Sequence, residues 1–134
     1  MADLKDEAYW DTAILRAAGR LLMLATLGER PGHGYDVARR LSALCGEWCR
    51  PSPAMIYPAL RELEAAGLVV CAEECNGARR RRVCTLTAEG AEALEVGARV
   101  WERFLPAIQR VMASRTRGSD SGVSAAGCGP AGGE

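Results

Sequence analysis

The stretch LVVCAEECNGARRRRVC, residues 68–84, decides the fold. Its centre, Asn76-Gly77, is a dipeptide that favours a two-residue hairpin turn, because both residues tolerate positive φ. Centring the turn there sets Glu74 opposite Arg79, Glu73 opposite Arg80 and Val70 opposite Val83. Those are two opposite-charge pairs and one apolar pair of the kind that fix register. Strand alternation then sends Arg79 and Arg81 to one face of the hairpin and Arg80 and Arg82 to the other.

Three helices precede the hairpin. From Asp11 onward, Ile14, Ala18, Leu21, Leu22 and Ala25 follow helical spacing, which stops at Gly28 with Pro31 just beyond. A shorter pattern, Val37, Leu41 and Leu44, predicts a helix from Tyr35 to Cys45, ended by Gly46. Ser52-Pro53 is an N-cap and first-turn signal, followed by Ile56, Leu60 and Leu63 on one apolar face up to Gly67. Pro58 lacks the backbone hydrogen this helix would ask of it, so a kink or a loose first turn is expected. After the hairpin, Thr87 caps a last helix whose Leu94, Ala98, Trp101, Leu105, Ile108 and Met112 recur at heptad spacing. Pro106 is expected to bend it. After Ser114 the sequence turns to Ser, Gly and Ala with little to bury, as in a disordered tail.

Helix, helix, turn, helix and a hairpin with a basic tip is the order of a winged helix-turn-helix, a mainly α fold with a small β-hairpin. The expected division is an N-terminal extension at 1–10, the winged helix-turn-helix at 11–87, a dimerisation helix at 88–114 and a tail at 115–134. The 134 residues make one domain's worth of chain. Basic and acidic side chains balance at 17 each, but residues 30–87 hold nine basic against six acidic ones, so positive charge gathers in the middle. The longest apolar run, Leu21 to Ala25, is too short to span a membrane, and the acidic N-terminus lacks the features of a signal peptide. A cytoplasmic protein with reduced cysteines is expected.

Specific motifs carry a resemblance. Gly32-His33-Gly34-Tyr35-Asp36, Ser52-Pro53 with Ile56-Tyr57-Pro58-Ala59-Leu60, Leu63-Glu64 with Gly67-Leu68-Val69, and Leu86-Thr87 with Glu89-Gly90 together resemble the PadR family of bacterial transcription regulators, over roughly Ala13 to Met112. Pro58 is usual in that motif. The strand before Leu86-Thr87, normally rich in tyrosine, departs from the pattern and reads Arg82-Val83-Cys84-Thr85. The single helix after the wing resembles the small subgroup, which implies a homodimer formed through that helix. The resemblance also implies an effector-released repressor on operator DNA. In some small relatives a Trp at the place of Trp101 lines a cavity for flat aromatic compounds. Trp101, with Ala98 and Leu94 on the same seam, is thus a candidate effector contact; the alternative is a large core residue at a dimer interface.

The chemistry of the residues supports a DNA-binding reading independently. Ser52, Pro53 and Ala54 open the third helix towards a groove or a phosphate, Tyr57 offers a hydroxyl, and Arg61 a long cation one turn on. Arg79, Arg80 and Arg81 can reach phosphate or the minor groove, or else merely satisfy Glu74 and Glu73. Tyr35 is a ligand contact or, as the resemblance implies, a structural residue that packs its helix against the core, and the lone His33 is expected to belong to a turn. Glu95, Arg99 and Arg103 read as a solvated face. No phosphate loop, nucleophile elbow or metalloprotease motif appears, so no enzyme is expected. A winged-helix module for protein contacts is a further alternative.

The six cysteines leave more than one reading open. In one, Cys45, Cys71 and Cys84 are small core hydrophobes and Cys128 a tail thiol. In the other, Cys71 and Cys84, with Cys75, Cys49 or Cys45 as a further donor, bind a soft metal or metalloid, or form a disulfide on oxidation. With the turn at Asn76-Gly77, Cys84 faces Val69 and lies diagonal to Cys71 on the same face.

Overall fold

A computed structural model describes residues 2–46, 48 and 51–121. Helix α1 (Glu7–Glu29) starts earlier than its apolar pattern does, because the Asp6 carboxylate accepts from the backbone N–H of Ala8 and caps it. Strand β1 (Gly32–His33) leads directly into α2 (Gly34–Leu44), followed by α3 (Pro53–Ala65). Strands β2 (Val69–Asn76) and β3 (Arg79–Leu86) form the hairpin, and α4 (Ala88–Ser121) follows. The three strands make one antiparallel sheet in the order β1-β3-β2, the wing of a winged helix-turn-helix. Two residues of β1 gave no periodic signal; they become a strand by pairing Gly32 with Cys84 and His33 with Val83.

The hairpin register differs from the expected one by two residues. Cys71 faces Cys84, Glu73 faces Arg82, Glu74 faces Arg81 and Val70 faces Thr85, so the expected Glu74–Arg79, Glu73–Arg80 and Val70–Val83 pairs are not the ladder partners. The central turn residues are Gly77 and Ala78. Gly77, the first of them, takes positive φ at 67°, which is where a two-residue turn most needs glycine. A slip of two leaves every side chain on its expected face, so alternation could not separate the registers. Packing does: the observed register sets Val69 against Leu86 and Cys71 against Cys84 on the buried side.

Met23, Leu24, Leu27, Val37, Leu41, Ile56, Leu60, Leu63, Val69 and Cys84 form the core. Ser52 occupies the N-cap position of α3, yet its hydroxyl makes no capping bond; its carbonyl accepts from Met55 and Ile56, and Pro53 starts the helix. The helix runs on through Pro58 without interruption. Proline there removes only the bond to the carbonyl of Ala54, an exposed residue that water can serve. At the far end of the wing, the Thr87 hydroxyl accepts from Gly90 N–H and donates to the Gly67 carbonyl, capping α4 as expected. A side chain at Gly90 would lie 2.1 Å from the Leu68 carbonyl oxygen, so only glycine lets α4 start this close to the wing.

The chain divides into two compact units at Gly97 and Ala98. The second is the remainder of α4, which continues through Pro106 and runs to Ser121, beyond the expected end at Ser114. Within it, Trp101 meets Phe104 edge to face at 5.7 Å, while Leu105, Ile108 and Met112 of the heptad seam are exposed. The tail from residue 122, including Cys128, lies outside the described residues, as does Cys49. No helix among the described residues is long and apolar enough to cross a membrane.

Candidate nucleic-acid interface

The junction of β1 and α2 builds one wall of the site. His33 Nδ1 accepts from Asp36 N–H at 3.3 Å and so caps α2, a structural use of the only histidine. Asp36 in turn meets Arg39 and Arg40. Arg40 is nearly buried, its side chain 11% exposed; it lies 3.0 Å from Asp36 and donates to the carbonyls of Thr26, Arg30 and Pro31. These bonds tie the end of α1 to the start of α2. Burial pushes the Asp36 carboxyl up, but the hydrogen bond from Arg39 and the charges of Arg40, Arg39 and His33 outweigh it and hold the group below the usual carboxylate range. A side chain at Gly32 would press on the Arg40 guanidinium and the Asp36 carboxylate and force them to shift.

This frame presents Tyr35 and Arg39 to solvent. Tyr35 is 68% exposed, which overturns the expectation that it packs α2 on the core. It stands on the first turn of an amphipathic helix whose inward positions are taken by Val37 and Leu41. Tyr57 of α3 leans over Gly34, where a Cβ would come within 2.3 Å of its ring. Opposite stands the wing. His33, Tyr35, Arg39, Tyr57 and Arg79 to Arg82 together enclose an open cleft of about 570 Å³.

The expected residues Ser52, Pro53, Ala54, Tyr57 and Arg61 are all exposed along α3, as are Arg79, Arg80 and Arg81 on the wing. Arg80 reaches Glu73 diagonally at 3.9 Å, and Arg82 holds both Glu64 oxygens at 2.8 Å. Arg79 and Arg81 make no ion pair among the described residues, so the acidic partners mute only part of the patch. Sequence reading left Arg39 out of the site. Its signal is present, four residues after Tyr35 and therefore on the same helix face. The arrangement offers cations and two phenol hydroxyls to a polyanion.

The thiols are only partly brought together. Cys71 and Cys84 are joined by a disulfide, while Cys45 and Cys75 are free and belong to different elements. The expected metal set of Cys71, Cys75, Cys84, Cys45 and Cys49 does not assemble among the described residues, where no three His, Cys, Asp or Glu side chains gather. Physical reasons are at hand. The disulfide consumes two of the donors, and Cys75 lies two full strand repeats from Cys71. On α4, Leu94 packs at the edge of the core, and Ala98 and Trp101 are half-buried.

Known proteins share this architecture. A transcriptional regulator from Clostridium thermocellum superposes with a TM-score of 0.68 at 20% identity, covering 73% of this chain and 96% of that one. Bacillus subtilis PadR, solved in complex with operator DNA, superposes with a TM-score of 0.54 at 22% identity over 59% of this chain and 45% of that one. In sequence, the transcriptional regulator Rv3488 of Mycobacterium tuberculosis is 37% identical over 89 residues, 66% of this chain and 80% of that protein. The transcriptional regulator YqjI of Escherichia coli is 34% identical over 76 residues, which are 57% of this chain and only 35% of that longer protein. Residues 23–96, from the middle of α1 into α4, match the profile of the PadR-like transcriptional regulator family, and the chain belongs to that family.

Proposed function

We propose that the chain binds duplex operator DNA as a homodimer and represses transcription until an effector releases it. The cleft carries this reading: five arginines, Arg39 and Arg79 to Arg82, stand with Tyr35 and Tyr57 beside the exposed face of α3. Helix α3 enters the major groove with Ser52, Pro53, Ala54, Tyr57 and Arg61 towards the DNA, and the wing arginines take phosphate or the minor groove. A two-fold dimer sets its half-sites about one helical turn apart in an inverted repeat. The apolar stripe of α4 favours pairing of two chains, because Leu105 and Ile108 would otherwise stay in water.

Three measurements test this. Affinity for a duplex carrying an inverted repeat should fall linearly with the logarithm of salt concentration, as counterion release demands; binding without salt dependence would argue for a protein-interaction module instead. Sedimentation should show a dimer for the wild type and a monomer with greatly weakened DNA binding for Leu105→Asp or Trp101→Asp. The effector in this reading is a planar organic molecule that stacks at Trp101, with Ala98 and Leu94 on the same seam. It should quench Trp101 fluorescence in a Trp10→Phe/Trp48→Phe background, and Trp101→Ala should lose release while keeping DNA binding.

A further inference from the structure

The wing holds a feature that the DNA-binding reading leaves unused. Cys71 and Cys84 face each other at the root of the hairpin, with Cα atoms 4.0 Å apart. Eight ladder partners and the Gly77 turn already close these strands, so the bond is an addition to the hairpin rather than its means of closure. The two sulfurs differ in access. Cys84 is 2% exposed within the core, whereas Cys71 is only partly buried.

Both cysteines line a cavity of about 160 Å³ between the wing and α3, together with Tyr57, Arg61, Glu64 and Arg82. Tyr57 and Arg82 line the basic cleft as well, so this cavity backs directly onto the cleft wall. A thiol reagent of a few atoms fits such a space. Arg82 is shared with Glu64, while Arg61 lines the same cavity and has no ion pair among the described residues.

We propose that Cys71 and Cys84 form a reversible thiol–disulfide site, oxidised by hydroperoxides and reduced by small thiols, whose state sets how firmly the wing grips DNA. In oxidation, the Cys71 sulfur attacks one peroxide oxygen. A sulfur–oxygen bond forms, the oxygen–oxygen bond breaks, and the thiol proton leaves with the departing alcohol, or with water when the oxidant is hydrogen peroxide. The Cys84 thiol then attacks the sulfenic sulfur, closing the disulfide and expelling a second water. Two thiols thereby give up two electrons and the peroxide takes them. Reduction runs from the accessible side: a small thiolate attacks Cys71 and frees Cys84 as a thiol, and a second thiolate displaces the first as a small-molecule disulfide.

The bond pins the base of a hairpin that carries four arginines at its other end. Reduced, the hairpin loses this covalent link, and its strands regain freedom to shear against α3. The pinned form presents Tyr57 and the arginines already in place and loses less entropy on binding.

This proposal rests on the DNA-binding reading, and its test separates the two. The full-length protein is reduced, freed of reductant and divided; one portion receives stoichiometric hydrogen peroxide. Differential alkylation with peptide mass mapping should show Cys71 and Cys84 protected together, and dithiothreitol should restore both. The oxidised form should bind the inverted-repeat duplex at least threefold more tightly than the reduced form. That ratio should fall to one in Cys71→Ser, and also in Cys84→Val, which keeps the core filled. Equal salt-dependent binding by both forms, tighter binding by the reduced form, or failure of the pair to oxidise overturns the switch alone. Absence of salt-dependent binding in both forms overturns the switch and the regulator reading together.

Discussion

Arginine is put to two opposite uses in this chain. Arg40 is almost withdrawn from water and directs its donors to three backbone carbonyls while lying against Asp36. Arg79 and Arg81 stand exposed on the wing with no ion pair among the described residues. The same guanidinium is a fixture of the fold in one place and an open charge in the other. Partner supply makes the difference. The end of a helix leaves carbonyls unpaired, and the fork of an arginine can collect several at once. An eight-residue strand, by contrast, turns alternate side chains outward with nothing above them. Charge counts in a sequence therefore overstate an interface wherever one of the cations belongs to a loop junction.

The largest expected effect tests the buried arginine. Arg40→Ala strips the Thr26, Arg30 and Pro31 carbonyls and leaves Asp36 half-paired, which should cost about 3 kcal/mol of stability. Urea unfolding would measure it. Arg40→Lys should recover only part of the loss, since an ammonium cannot reproduce the planar fork. A change within about 0.5 kcal/mol, typical of an ordinary surface substitution, would erase the contrast between the two kinds of arginine.

Next in size is the wing. Replacing Arg79, Arg80 and Arg81 by Ala should leave stability unchanged within about 0.5 kcal/mol, yet weaken binding to every duplex. The slope of log affinity against log salt should drop by about 0.9 for each phosphate that is no longer neutralised. An unaltered slope would place the wing away from the DNA. It would also leave Arg39 as the main cation of the cleft.

How much of the molecule was legible in its sequence follows the same division. The helices were readable because each repeats an apolar spacing, and the Thr87 cap because its signal is local. The faces of the wing were readable from alternation, while its register was not. Opposite-charge pairing favoured the Asn76-Gly77 turn, and only the tertiary packing of Val69 and Cys84 selects the observed one. β1 exists solely through a partner about fifty residues away, and no window along the chain contains that partner. Tyr35 is exposed where core packing is expected, because its neighbours Val37 and Leu41 already fill that core. Every residue named from sequence as a candidate DNA contact is exposed, because polar and short side chains on the open side of α3 need no long-range information to stay there.

A smaller effect sharpens the cleft itself. Gly34→Ala places a methyl group where the Tyr57 ring now lies, so the ring must swing aside. Operator affinity should fall a few-fold, with little change in unfolding midpoint, because the displaced ring is 43% exposed rather than part of the core. Should affinity hold while stability drops, Tyr57 would be a lid on the Gly34 backbone rather than a contact to DNA.

The smallest expected effect concerns pH, and its sign comes from Asp36. Its folded carboxyl is held below the usual range, because Arg39, Arg40 and His33 outweigh the cost of burial. A depressed carboxylate contributes stability that is fully present above its unfolded value of about 3.9, and that fades as pH falls through the lower folded value. Between pH 5 and 8 the contribution should therefore be flat. Below about pH 4 the wild type should lose it, whereas Asp36→Asn, which never had it, should not. Unfolding midpoints of the two proteins should differ by a constant amount from about pH 7 down to about pH 5 and converge as pH falls below the unfolded value and through the lower folded one. A gap that persists unchanged into acid would mean that Asp36 acts by shape and hydrogen bonding alone, and that Arg40 is fixed by the carbonyls of Thr26, Arg30 and Pro31 without help from a counter-charge.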